Sequence, residues 1–364
     1  MSPAQALILW TVDPATLIDL DNAAWERALM LGRRHGLSGR WYPALEALGA
    51  LSRLPPPVQR HLHSDYLVAA DRMRSARWEI NRLRHALASI GIEPVLLKGA
   101  AYIAAGLAAG HCRMLTDVDC LVPFAALEAV EAALEAHGWH PMPKDEYDER
   151  YYREWMHELP PFQHAIRGSS LDLHHNILPR TSALCPDAEL LLARARRLAD
   201  GCRVLDPADM VMHSVLHGFF GGELTNCFRD VLDVYELCRD FVREDPGFWE
   251  ALSDRALALR AARPTWLALR QLRRLPGPGV PDAVLDRLAR AAGLWPARPF
   301  VERAIDTAFV PSAPPTAAER LALKFLLARA HLCKMPLRLL APHLAHKLSL
   351  RWRGRQAAET SVKA

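Results

Sequence analysis

The sequence has 364 residues, 51% apolar and 24% charged, with a formal net charge of +4, a composition of ordinary globular proteins and a length sufficient for more than one packed unit. No run of about 18 uninterrupted apolar residues occurs, which excludes a membrane-spanning helix, and acids break the apolar N-terminal run early enough that it does not read as a signal peptide. The seven cysteines form no CxxC pair and no zinc-ribbon spacing, so they read as reduced thiols of a cytoplasmic protein. Charge is unevenly spread: Arg320 to Arg355 holds nine Lys or Arg and no acid, which leaves 36 basic against 41 acidic residues elsewhere, a net of −5.

In chain order, residues 1–92 read as helical. Trp41, Leu45 and Leu48 sit at helical spacing, and the prolines 55–57 break the run before a long helix over 58–90. Its stripe is Leu62, Tyr66, Ala69, Met73, Ala76, Ile80, Leu83 and Leu87, its arginines read as a solvated face with a phosphate-facing surface as the alternative, and Gly91 ends it. Val95 to Leu97 is a short apolar strand bounded by Pro94 and by Lys98-Gly99. An Ala-rich buried helix follows, and then a second strand, Leu115-Thr116-Asp117-Val118-Asp119-Cys120-Leu121-Val122. Alternation along that strand sends Asp117 and Asp119 to one side and Val118 and Cys120 to the other. Two carboxylates side by side repel each other, and a divalent ion is the usual compensation.

An amphipathic helix over 124–137 ends at Gly138, and no element is assigned to 139–161. Phe162 to Ile166 and Leu171 to His175 read as a hairpin about Gly168-Ser169-Ser170, with Asp172 inside the apolar second strand. Everything from Asp187 onward reads as helical, the last segment covering 317–353 with breaks expected at Pro336 and Pro342. The expected class is α+β: N-terminal helices over 1–92, a small mixed-sheet core over 93–180 and a helical domain with a basic tail over 181–364.

In order along the chain, Leu97-Lys98-Gly99, Arg113, Thr116-Asp117-Val118-Asp119-Cys120-Leu121, Leu171-Asp172-Leu173-His174-His175, His213 to His217 and Arg229-Asp230-Val231-Leu232-Asp233 resemble nucleotidyltransferases of the DNA polymerase β-like superfamily. They resemble in particular an uncharacterised bacterial branch found near lasso-peptide, polysaccharide or HPr-kinase-like genes. The resemblance covers about residues 94–240. The superfamily's usual Gly-Ser after the first strand is here Lys98-Gly99, as in that branch, and the usual aromatic after the strand histidine is here His175.

The resemblance implies Mg²⁺-dependent transfer of a nucleotidyl group from an NTP, with two ions (Mn²⁺ as an alternative) on Asp117, Asp119 and Asp172, the third acid serving as ligand or base. The acceptor would be a hydroxyl or phosphate on a small molecule, peptide or protein. Lys98 and Gly99 stand where strand meets helix, a place suited to phosphate. Arg113 has two readings, pairing phosphate or bracing Asp117; Thr116 adjoins the acids and His174 flanks Asp172. His213 and His217 share a helix face but lack the glutamate of a zinc HExxH, so they read as core or nucleotide-contacting residues. Asp230 and Asp233 read as structural, capping the helix or bridging to Arg229.

Two other functions compete: a metal-dependent glycosyltransferase using a nucleotide donor, and a catalytically inactive binding protein of this fold. For the basic tail, docking on the acidic body of its own chain is favoured over a membrane surface, and nucleic acid is disfavoured by the scarcity of aromatics there, Phe325 and Trp352 alone.

Overall fold

The computed structural model of the chain describes residues 3–221, 227–277, 279–310, 312, 314–347 and 349. Seven short strands form one mixed sheet: β1 (Val95–Leu96), β2 (Asp117–Leu121), β3 (Trp139–Pro141), β4 (Phe162–His164), β5 (Ser170–His174), β6 (Arg196–Arg197) and β7 (Arg203–Val204), in the order β3-β4-β5-β2-β1-β7-β6. β2 runs parallel to β5 and antiparallel to β1, while β1 runs parallel to β7. Helices surround the sheet, so the class is α+β as the sequence implies.

The long N-terminal helix spans Pro56–Ala88. It starts on prolines because the first turn needs no backbone donors there, and Gly91, at φ 68°, turns the chain toward β1. Six of the eight stripe residues, Leu62, Ala69, Ala76, Ile80, Leu83 and Leu87, are buried. The helix packs on β2 and on the helices Lys98–Ala104 and Leu127–Ala136. One apolar core runs from Ala6 to Leu326 through the N-terminal helices, the sheet and the C-terminal helices.

The reading of uniform helix after Asp187 fails at 196–204, where β6 and β7 pair antiparallel and β7 extends the sheet beside β1. Each is two residues long, too short to show a period-2 pattern. The terminal segment does break at Pro336: one helix covers Ala317–Lys334 and a second runs over 337–347. Pro342 does not interrupt the second helix. Thr316 and Glu319 cap the first helix reciprocally, and Leu326, Ala330 and Leu340 are buried. His346 stacks on Tyr147 at 4.1 Å between ring centroids, His343 stacks on Tyr151 at 4.5 Å, and Lys347 Nζ lies 2.7 Å from Asp148. Through residue 347 the tail therefore lies on its own chain; Arg351, Trp352, Arg353 and Arg355 lie outside the described residues. No described helix is long and apolar enough to cross a membrane.

Candidate active site

The register of β2 and β5 sets the site. Asp117 is paired with Ser170, Asp119 with Asp172 and Leu121 with His174. Directly paired residues project from the same face of a sheet, so Asp117, Asp119, Asp172 and His174 share one face. Val118, Cys120, Leu171 and Leu173 take the other face and are buried. The apolar face thus anchors both strands in the core and leaves the acids no choice of side.

Lys98 and His174 both approach Oδ1 of Asp119, at 2.6 Å from Nζ and 3.0 Å from Nε2. Lys98 adopts φ 44° at the elbow between β1 and its helix, a left-handed conformation that costs a non-glycine residue about 1–2 kcal/mol. Strain of this kind persists where the surroundings over-determine it, which is common at functional positions. The ion pair with Asp119 is one such constraint.

A fourth carboxylate, Glu158, joins the acids by way of an irregularity in the hairpin. Phe162 pairs with Leu171, yet Glu158 bridges to His174, so the register slips by one residue across Pro160-Pro161. A slip of this kind is a β-bulge, and it exchanges which residue faces each side. An unbroken register would set Leu159 opposite His174; with the bulge Leu159 is buried and Glu158 faces the site. Glu158 Oε2 lies 3.5 Å from His174 Nε2 and 3.8 Å from His157 Nε2.

The electrostatics separate the acids. Burial alone would raise Asp119, but Lys98 and His174 outweigh it and hold the carboxyl well below the usual range. Lys98 is opposed by its own burial, and Asp119 still raises it. Asp172 has no such cation in hydrogen-bond contact: burial, followed by the charges of Asp119, Glu158 and Asp117, pushes it up to about 7 against a smaller opposing effect of His174. Asp117 is half-buried, accepts from Thr116 Oγ1 at 3.1 Å, and opens onto a cleft of about 610 Å³ whose walls include Arg72, Arg74, Trp78, Arg167 and Ser170.

The other residues singled out in the sequence divide between the site and its frame. Arg113 does not brace Asp117. Its Nη1 donates to both oxygens of Asp233, at 2.7 and 2.8 Å, and its guanidinium lies over Tyr102 at 5.3 Å. Gly99 is needed for that passage, since a Cβ there would stand 2.7 Å from Arg113 Nε. Asp233 also bridges to Arg229 at 3.2 Å, the structural role expected of it. His213 is buried, and that burial, with the Lys98 charge, lowers its pKa well below the ordinary value. Sequence reasoning missed His157 and Glu158, which lie in the unassigned stretch; the available signal was a His-Glu pair followed by Leu-Pro-Pro and a strand.

The family profile of an uncharacterised nucleotidyltransferase matches residues 21–277, which takes in the sheet, every acid of the site and the helix that carries Asp233. No curated protein matches the chain.

Proposed function

The chain belongs to this uncharacterised nucleotidyltransferase family, and from that premise we propose that it transfers a nucleotidyl group from an NTP to a hydroxyl or phosphate on a small molecule, peptide or protein. The observation that carries the reading is the pairing of Asp119 with Asp172 across parallel strands, with Asp117 on the same face. The donor set is all oxygen, and its charge is under-compensated by Lys98 and His174, as the raised pKa of Asp172 reflects. Such a set suits Mg²⁺. Ions held by Asp117, Asp119 and Asp172 would supply positive charge to the triphosphate and make the attacking hydroxyl more acidic.

The chain's own groups do the rest. Where Asp172 is left unligated by the ions, it is placed on the same face to accept the proton of the attacking hydroxyl as its oxygen bonds to the α-phosphorus and pyrophosphate departs. Lys98 neutralises Asp119 in the free chain, and its four-carbon stem lets the ammonium turn to phosphate. His174 holds the orientation of Asp119 from the neighbouring strand, at 3.0 Å. The cleft beside Asp117 offers Arg72 and Arg74 to an anionic group and the exposed Trp78 to a ring, while Arg167 is committed to Glu79 at 2.8 and 2.9 Å.

The test is incubation with labelled ATP, CTP, GTP and UTP plus Mg²⁺, reading nucleotide retention, pyrophosphate release and self-labelling. Binding of at least one NTP that is lost in Asp119→Asn is expected. If none of the four binds, or if the variant binds equally well, the reading fails. Turnover of a sugar nucleotide instead would make the protein a glycosyltransferase.

A further inference from the structure

We propose that His157, Glu158 and His174 form a second metal site, one for a divalent transition ion of the Zn²⁺ class, beside the oxygen-only set of Asp117, Asp119 and Asp172. The inference goes beyond nucleotidyl transfer and does not depend on it. One ligand atom from each of the three residues lies within 4.8 Å of those of the other two. Glu158 Oε2 stands 3.5 Å from His174 Nε2 and 3.8 Å from His157 Nε2. Both separations are long for hydrogen bonds. The first is close to that of groups sharing a central ion, since ligands about 2.1 Å from a tetrahedral metal stand roughly 3.4 Å apart, and the second closes to it with a small turn of the partly exposed side chains.

The backbone holds the trio in that spacing. Glu158 bridges to His174, Leu159 N donates to Leu173 O at 2.9 Å, and His175 N donates to His157 O at 2.8 Å. The bulge at Pro160-Pro161 is what brings a carboxylate rather than a leucine to the position opposite His174. Ligands fixed on a ladder need little reorganisation on binding, which favours affinity. Access is graded: the His174 side chain is 0% exposed, while His157 and Glu158 are 14% and 23% exposed, so an ion enters past the latter two.

Donor chemistry then chooses the ion. Two imidazoles and one carboxylate suit zinc, iron, cobalt or manganese, whereas Mg²⁺ prefers oxygen alone. The two sites communicate through one atom. His174 Nε2 donates to Asp119 at 3.0 Å in the free chain, and it cannot do so while ligating an ion. Loading the site places the ring's proton on Nδ1 and releases Asp119 Oδ1 from one of its two partners.

The test uses the full chain, untagged and stripped of metal, equilibrated with Zn²⁺ or Co²⁺ in excess Mg²⁺ and under reducing conditions. Retention of about one equivalent is expected, with a visible Co²⁺ absorption of imidazole rather than thiolate type. Glu158→Gln and His157→Gln should each weaken Zn²⁺ binding more than about tenfold, with circular dichroism unchanged. The two variants guard against a folding failure in either one. Wild-type protein that retains no Zn²⁺, or folded variants that bind it as tightly as wild type, would overturn the proposal. NTP binding is read on the same samples in Mg²⁺ alone, so failure of the nucleotidyltransferase reading is seen separately.

Discussion

Two clusters of charge border the stretch from Lys98 to Asp119, and they are assembled on opposite terms. In the first, Arg113 and Arg229 share Asp233, and Arg40 Nη2 lies 2.5 Å from Glu236 Oε1; each of these five ions has a partner of opposite sign. Its one unpaired acid, Asp230, is pushed up to about 7 by burial and by Asp233. In the second, among the described residues, Asp117, Asp119, Asp172 and Glu158 meet one lysine, Lys98, and the imidazoles of His174 and His157. A balanced cluster is complete within the chain and locks helix Cys227–Glu244 to the segment before β2. An acid-rich one is complete only with a cation or a proton from outside. Buried charge alone does not separate the two clusters; the sign of the surplus does.

The comparison is broken most forcefully at Asp233. Asp233→Ala leaves the buried guanidiniums of Arg113 and Arg229 without their shared anion, and stranding one partner of a buried pair costs about 3–5 kcal/mol. Urea unfolding should show a loss of that size, with nucleotide binding per folded molecule close to wild type. A variant as stable as wild type would mean that the balanced cluster does not frame the fold.

Asp119→Asn should give the converse pattern. Asp172 and Glu158 remain near Lys98, as their effect on its pKa shows, so the stability loss should be smaller than that of Asp233→Ala, which leaves two arginines without their shared anion. Transfer should fall by more than the roughly 10–100-fold typical of losing a group that only supports a ligand. Normal turnover by a well-folded Asp119→Asn protein would remove the acid-rich cluster from the chemistry.

How far the sequence reveals this contrast depends on the range of the interactions. The shared face of Asp117 and Asp119 follows from strand alternation, and Asp172 stands out because an apolar strand has no other use for it. The pairing of Arg113 with Asp233 crosses 120 positions, and no local pattern announces it, so the arginine nearest the acids read as theirs. Glu158 was hidden for a different reason: a one-residue slip at Pro160-Pro161 decides which side chain faces the site, and residues 139–161 carry no period that would expose it. β6 and β7, two residues each, give too little alternation to separate from helix. The left-handed backbone of Lys98 likewise arises from tertiary constraint rather than from propensity.

The smallest effect sharpens the comparison through pH. Asp172 has a pKa of about 7 in the folded chain against an ordinary 3.8. Between those values the folded state holds a proton that the unfolded state has lost, so the stability of the metal-free protein falls as pH rises from about 4 to about 7 and then levels off. The full linkage for about three units is roughly 4 kcal/mol; partial exposure of the carboxyl reduces it to on the order of 2 kcal/mol. Asp172→Asn carries no charge to repel its neighbours, so it should be more stable than wild type at pH 8, and the advantage should shrink steadily as pH falls toward 4. Metal binding competes with the same proton, so Mg²⁺ should narrow the gap at pH 8 by stabilising wild type and not the variant. Chemical denaturation of both proteins from pH 4 to 8, with and without Mg²⁺, measures each of these differences. Parallel stability curves for the two proteins in the absence of metal would show that Asp172 is not crowded by its neighbours, and the distinction between the two clusters would lose its electrostatic basis.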